Sequence, residues 1–110
     1  MGMKEVRWVG RALHDLRAFP EAAREDMGYQ IWEVQNGRTP IGSKSMPNVG
    51  RSCRELCVAS DDSWFRVFYV ASIGDCVWVL HSFRKKTNTT AQSDIEIGKK
   101  RYRAIEGAGE

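Results

Sequence analysis

Apolar positions are densest in residues 64–71 and 76–83, two runs separated by the turn-forming Ser72, Ile73, Gly74 and Asp75. Both runs are apolar on both alternating faces, which predicts two central strands covered on either side. Residues 54–60 predict another strand, joined to the first run through Asp61, Asp62 and Ser63, a turn signal. Three short-linked strands in succession predict an antiparallel meander. Residues 4–9 alternate charged and apolar positions around Val6, Trp8 and Val9, the pattern of a short strand at a sheet edge.

The period changes elsewhere. Ala12, Leu13, Leu16 and Phe19 fall at helical spacing within residues 11–19, and Pro20 closes that helix and opens the next. Ala23, Met27, Ile31 and Val34 make an apolar stripe along residues 20–36, widened by Trp32 and stopped by Asn36 and Gly37. Residues 37–52 form a glycine-, proline- and serine-rich loop. Near the C-terminus, Ile95, Gly98, Tyr102 and Ile105 share a helical face, and the Ser93/Glu96 spacing predicts a capping box at the start of that helix. The tail, residues 107–110, is expected to fray. The expected fold is α+β: a small antiparallel sheet of about four strands, with an N-terminal αα-hairpin and a C-terminal helix packed on one face.

Length and composition narrow this picture. The 110 residues are read as one domain, 1–110, burying roughly two-thirds of the unfolded surface. With 42% apolar and 28% charged residues the chain is an ordinary globular one rather than a disordered one. It has no apolar run long enough to span a bilayer and no apolar leader, so the expectation is a cytoplasmic protein with no membrane partner. Three cysteines, Cys53, Cys57 and Cys76, are too few and too odd in number for a disulfide framework, and the two histidines lie far from Cys53-x-x-x-Cys57. No metal or cofactor is expected.

Charge changes the picture more. The net charge is +3, and residues 81–110 hold seven basic and four acidic side chains, while the first 80 residues are balanced. Clustered cations suit a polyanion such as nucleic acid, or simply a solvated basic helix face. Within the strands, Arg66 is a full-time cation in an apolar setting, which requires an ion pair, for example with Glu55, or a cleft facing a phosphate. Lys85 and Lys86 follow the last strand and point to opposite faces, one of them sharing the side of His81 and Phe83. Lysine and arginine can stabilise charge on a phosphate in a transition state, and His81 and Tyr69 are possible proton-transfer groups. The plainer reading makes His81 a satisfied core histidine and Tyr69 a core tyrosine beside Phe65 and Val67. The loop adds Lys44 and Arg51 without an acid. Arg54, Arg84 and Lys99 are further candidates for RNA contact. No phosphate-binding glycine loop, nucleophile elbow or paired-carboxylate motif is present.

The run Val79, Leu80, His81, Ser82, Phe83, Arg84, Lys85, Lys86 resembles the Val-Leu-His-x-Phe-x-Lys-Lys signature of phage-related, HigB-type toxins in the RelE/ParE superfamily. The resemblance extends from Trp8, Val9 and Gly10 through Asp15–Pro20, Gly28-Tyr29, Gln35-x-Gly37, Lys44, Glu55-Leu56 and Arg66–Tyr69 to the last helix near Arg101. It implies the toxin of a type II toxin–antitoxin module, a metal-independent, ribosome-dependent endoribonuclease that cuts mRNA by attack of a 2′-hydroxyl on the adjacent phosphate. Arg66, Lys85 and Lys86 would bind and stabilise that phosphate, with Lys44 as an additional contact. A helix-turn-helix antitoxin would be the partner, with the ribosome and mRNA as targets. Phe65 stands where such toxins usually carry tyrosine, and Arg84 where glutamine is common. The rivals are a ParE-like toxin directed at gyrase and an inactive module that binds RNA or antitoxin.

Overall fold

The two apolar runs do form the middle of a sheet. The computed structural model describes residues 2–107 apart from Asn88; of the tail expected to fray, residues 108–110 lie outside the described residues. The strands are β1 (Glu5–Trp8), β2 (Lys44–Ser45), β3 (Cys53–Ser60), β4 (Ser63–Val70) and β5 (Cys76–Lys85). The helices are α1 (Ala12–Arg17), α2 (Glu21–Gln35) and α3 (Gln92–Ile105). None is long and apolar enough to cross a membrane.

The sheet order is β1-β5-β4-β3-β2, so it has five strands rather than four. The β3–β4–β5 meander is antiparallel as expected, and its β3–β4 turn is the two-residue Asp61-Asp62. β1 adds to the outer side of β5 and runs parallel to it, which makes the sheet mixed. That orientation follows from connectivity: β1 and β5 are separated by the helices and the meander, so no hairpin constrains them to be antiparallel. β2 emerges from the loop read as irregular, pairing Lys44 with Glu55 and Ser45 with Arg54. Two polar residues carry no alternation for a pattern to reveal.

The helices do not share a face. α1 and α2 cover one side, where Leu16, Met27 and Ile31 pack on Leu56, Val67 and Val77. α3 covers the other, where Ile95 and Ile105 pack with Phe68, Val70 and Leu80. β4 is buried on both sides because a helix layer lies on each. The stripe of α2 is buried as read, but Trp32 is 43% exposed, pairing with Tyr29 and lying under Arg38.

A bulge sets what β5 presents. Phe68 pairs with His81 but Tyr69 with Val79, which leaves Leu80 as the extra residue. Trp78 and Leu80 belong to the α3 side, and past the bulge Phe83 belongs there too, with His81 and Lys85 bonded to α3. The Leu80 carbonyl at this irregularity accepts a hydrogen bond from Arg101 Nη1 at 2.9 Å. Arg101 lies against Gly10, whose φ of +57° favours glycine and where a Cβ would meet the guanidinium at 2.9 Å and push it aside.

α3 begins at Gln92, preceded by Ala91 without a side-chain cap, so the capping box expected from Ser93 and Glu96 does not form. Gln92 Nε2 instead approaches Glu96 Oε2 at 3.4 Å. Asp94, in the first turn, docks on β5 through His81 and Lys85. Farther along, a Cβ on Gly98 would lie 2.8 Å from the Phe68 ring and 2.9 Å from Val49. Replacing Gly98 by valine therefore overpacks a closed contact, and a loss of about 2 kcal/mol is expected, read as a lower urea midpoint.

Candidate functional site

On the α3 side, where β3, β4 and β5 run beside the start of α3, charged side chains gather instead of apolar ones. Cys57, Arg66 and Phe83 are cross-strand neighbours, as are Glu55, Phe68 and His81, and Ala59, Trp64 and Lys85. Register thus brings residues from three strands into one patch.

Glu55 is its centre. It is 1% exposed, and its Oε1 is paired with Arg66 Nη1, itself on a residue 2% exposed. Lys44 reaches the same oxygen at 3.8 Å from β2, and Thr90 Oγ1 donates to Oε2 at 2.9 Å from the segment leading into α3. The open concave setting that the cationic pattern suggested for Arg66 is not what the fold provides. Arg66 is buried and takes the ion pair with Glu55, the other arrangement the sequence allowed. A charge this far from water requires such a counter-charge.

Asp94 is the second carboxylate. Its Oδ1 accepts from His81 Nε2 at 2.9 Å, and its Oδ2 lies 3.3 Å from Lys85 Nζ. His81 is 5% exposed and stacks on Phe83, with ring centroids 4.6 Å apart. Its Nδ1 faces Arg101 Nη1 at 3.5 Å. The neutral tautomer with hydrogen on Nε2 satisfies both neighbours, donating to the carboxylate and turning a lone pair to the guanidinium. Burial lowers the His81 pKa, with Asp94 opposing the shift and Arg101 adding to it. The patch therefore holds four cations, Lys44, Arg66, Lys85 and Arg101, against two carboxylates. Lys86 follows β5 and is exposed.

The other residues singled out in the sequence lie elsewhere. Tyr69 is in the α1/α2 core, its hydroxyl 3.3 Å from Ser43 Oγ. Arg54, its cross-strand partner, donates to the same Oγ at 2.9 Å and to the Ser43 carbonyl at 3.0 Å. Arg84 pairs in register with Phe65 and donates to Ser63 Oγ at 2.8 Å. Arg51 is exposed in a turn whose carbonyl accepts from Tyr102, and Lys99 pairs with Glu96 along α3. The fold thus brings together Arg66, Lys85, His81 and Lys44, and leaves Tyr69, Arg54 and Arg84 on the opposite face. Asp94, Thr90 and Arg101 had no signal of their own, since each is an ordinary polar residue on a linker or helix.

Cys53, Cys57 and Cys76 are free. Burial pushes the Cys53 thiol up to about 12 and raises that of Cys57, so both stay protonated at neutral pH and add no negative charge to the patch. Among the described residues no group of three or more His, Cys, Asp and Glu could hold a metal ion.

Two consequences can be measured. Glu55→Gln removes the buried carboxylate charge that faces Arg66 and should cost about 3–5 kcal/mol, whereas Glu55→Leu combined with Arg66→Met should recover much of that loss in denaturation midpoints. His81 has a folded pKa below its unfolded value of about 6.5. Its contribution to stability is then present above that pH and is lost as pH falls towards the folded pKa, because the unfolded chain takes up the proton first. Urea midpoints should fall below about pH 6.5 in the parent, and less steeply in His81→Gln.

No curated protein matches this chain. The family described as "Phage derived protein Gp49-like (DUF891)" matches it over residues 14–103, from α1 through the Glu55 and Asp94 networks to the last turns of α3. With that match spanning most of its length, the chain belongs to the phage-derived Gp49-like family, a family associated with toxin–antitoxin modules and hence with an antitoxin partner.

Proposed function

We propose that this chain is a HigB-type toxin of the RelE/ParE kind, an endoribonuclease that cuts mRNA on the translating ribosome and is silenced by a helix-turn-helix antitoxin in the cytoplasm. The observation that carries the reading is one cationic face of the sheet, with Lys44 on the edge strand and Lys85 at the end of β5 on either side of an arginine fixed by a buried carboxylate, and Lys86 directly after Lys85. Lys44 and Lys85 keep 56% and 23% of their side chains exposed, so a phosphate can reach them. The Asp94 and Glu55 carboxylates hold Lys85 and Arg66 in place before any ligand arrives, the preorganisation that electrostatic stabilisation needs.

In this reading the ribose 2′-hydroxyl loses its proton and attacks the adjacent phosphorus, and the bond to the 5′-oxygen breaks as that oxygen takes up a proton. The products are a 2′,3′-cyclic phosphate and a 5′-hydroxyl. Lys85 and Lys86 meet the charge that builds on the non-bridging oxygens, and Lys44 contributes positive charge from the edge strand. Arg66 acts from behind as a fixed charge. His81, with both ring nitrogens engaged, steadies Lys85 through their shared carboxylate, and Tyr69 serves the core.

The burial of Arg66 favours one second reading, a ParE-like toxin that blocks its target without cutting RNA. Induction in a bacterium with mapping of mRNA 5′ ends separates the two. Cuts in register with codons are expected, and Lys85→Ala with Lys86→Ala should reduce them at least about 100-fold. Intact mRNA together with a DNA-damage response, and toxicity that survives the double substitution, would reject the nuclease.

A further inference from the structure

Trp64 stands at the start of β4, next to the charged patch and outside both cores. Phe68 and Val70, on the same face of the strand, are fully buried under α3. Trp64 is only partly buried, and it is neither in the two cores nor among the partly buried side chains packed on them. In register it lies between Ala59, which is exposed, and Lys85. Arg66 follows two residues on along the same face, and Lys86 comes directly after Lys85. Among the described residues the indole makes no ring contact or cation–π contact, and its N–H has no hydrogen-bond partner.

A large flat ring that serves neither core, set beside lysines, has the two parts that single-stranded nucleic acid recognition uses. An aromatic face takes an unpaired base by stacking, and neighbouring cations take the backbone. A helix layer would have buried the ring, as it does Phe68. The first turn of α3 instead turns its carboxylate to His81 and Lys85. The ring keeps part of its surface in solvent, beside the small, exposed Ala59.

We propose that Trp64 is a stacking platform for one unpaired nucleobase of the RNA whose phosphate Lys85 and Lys86 hold. The inference rests on the reading of this surface as RNA-binding and adds a base-contacting residue to it. Stacking has no hydrogen-bond code, so the subsite accepts any base and ranks them by ring size, purines above pyrimidines.

The test is equilibrium binding of the full chain to a short, 2′-O-methylated single-stranded oligoribonucleotide across a salt series. The methyl groups remove the attacking hydroxyl, so binding is read without cleavage. Trp64→Leu should weaken binding by about 5- to 100-fold while the slope against log salt is unchanged. Trp64→Phe should keep most of the affinity. Lys85→Ala with Lys86→Ala should flatten the slope. A second measurement needs no substitution in the protein: an oligomer with one abasic position at the stacked site should lose affinity for the parent chain but not for Trp64→Leu. Equal affinity of parent and Trp64→Leu, with the lysine-dependent slope intact, would overturn the stacking platform and leave the RNA surface standing. If the parent chain shows no salt-dependent binding at all, the RNA surface itself fails and the platform falls with it.

Discussion

The pairing of Glu55 with Arg66 is the constraint around which the functional end of the molecule is arranged. Both side chains lie in the layer between sheet and α3, where an unmatched charge would cost several kcal/mol. The carboxylate collects Arg66 from the next strand, Lys44 from the edge strand and Thr90 from the segment before α3. Satisfying one buried acid therefore fixes the relative positions of β2, β3, β4 and the entry to α3. The resulting surface is cationic but ordered, since Lys44 and Lys85 are each steadied by a carboxylate deeper in the fold.

Asp94 repeats the arrangement one strand over. It ties β5 to α3 through His81 and Lys85, while Arg101 closes the bulge carbonyl of Leu80 from the other end of the contact. Between these polar clamps, Gly98 lets the helix approach Phe68 more closely than any side chain would allow. The helix is thus held by packing at its middle and by charge at both margins. Strand-end chemistry and helix docking share the same residues, and a change at Asp94 reaches both.

The meander, the two N-terminal helices and the edge position of β1 were legible because each rests on a periodicity carried by large apolar side chains. What was not legible depended on partners distant in sequence. α3 has an apolar face of its own, but nothing within it says which side of the sheet it covers; Phe68, Val70 and Leu80 decide that from other strands. The parallel sense of β1 depends on where the chain re-enters after the helices. The capping box failed because the helix begins at Gln92, with Ala91 at its cap, so Ser93 already lies inside the first turn. In the site, the cations were readable as residues but not as geometry. Strand alternation placed Tyr69 with Phe65 and Val67 and away from Arg66, which was visible in the sequence. The bulge at Leu80, which keeps Trp78 and Lys85 on the same side, has no local signature there. The burial of Arg66 was one of two open alternatives, and the choice between them is made by Glu55 eleven positions away together with the path of the chain before α3.

The parallel pairing of β1 with β5 has a further consequence for how the protein comes into being. Glu5 is opposite Cys76, and Trp8 opposite Val79, so the first strand must wait about seventy residues for its neighbour. Contacts of that sequence separation are slow to close. β5 lies between β1 and β4, and Arg101 and Asp94 engage it only once α3 has been made. During synthesis the emerging chain can form its helices and the β3–β4 hairpin, but the sheet is split in two until β5 arrives. The cationic surface assembles last, when nearly the whole chain is available, so a truncated or still-growing chain has the charges without the architecture that aims them.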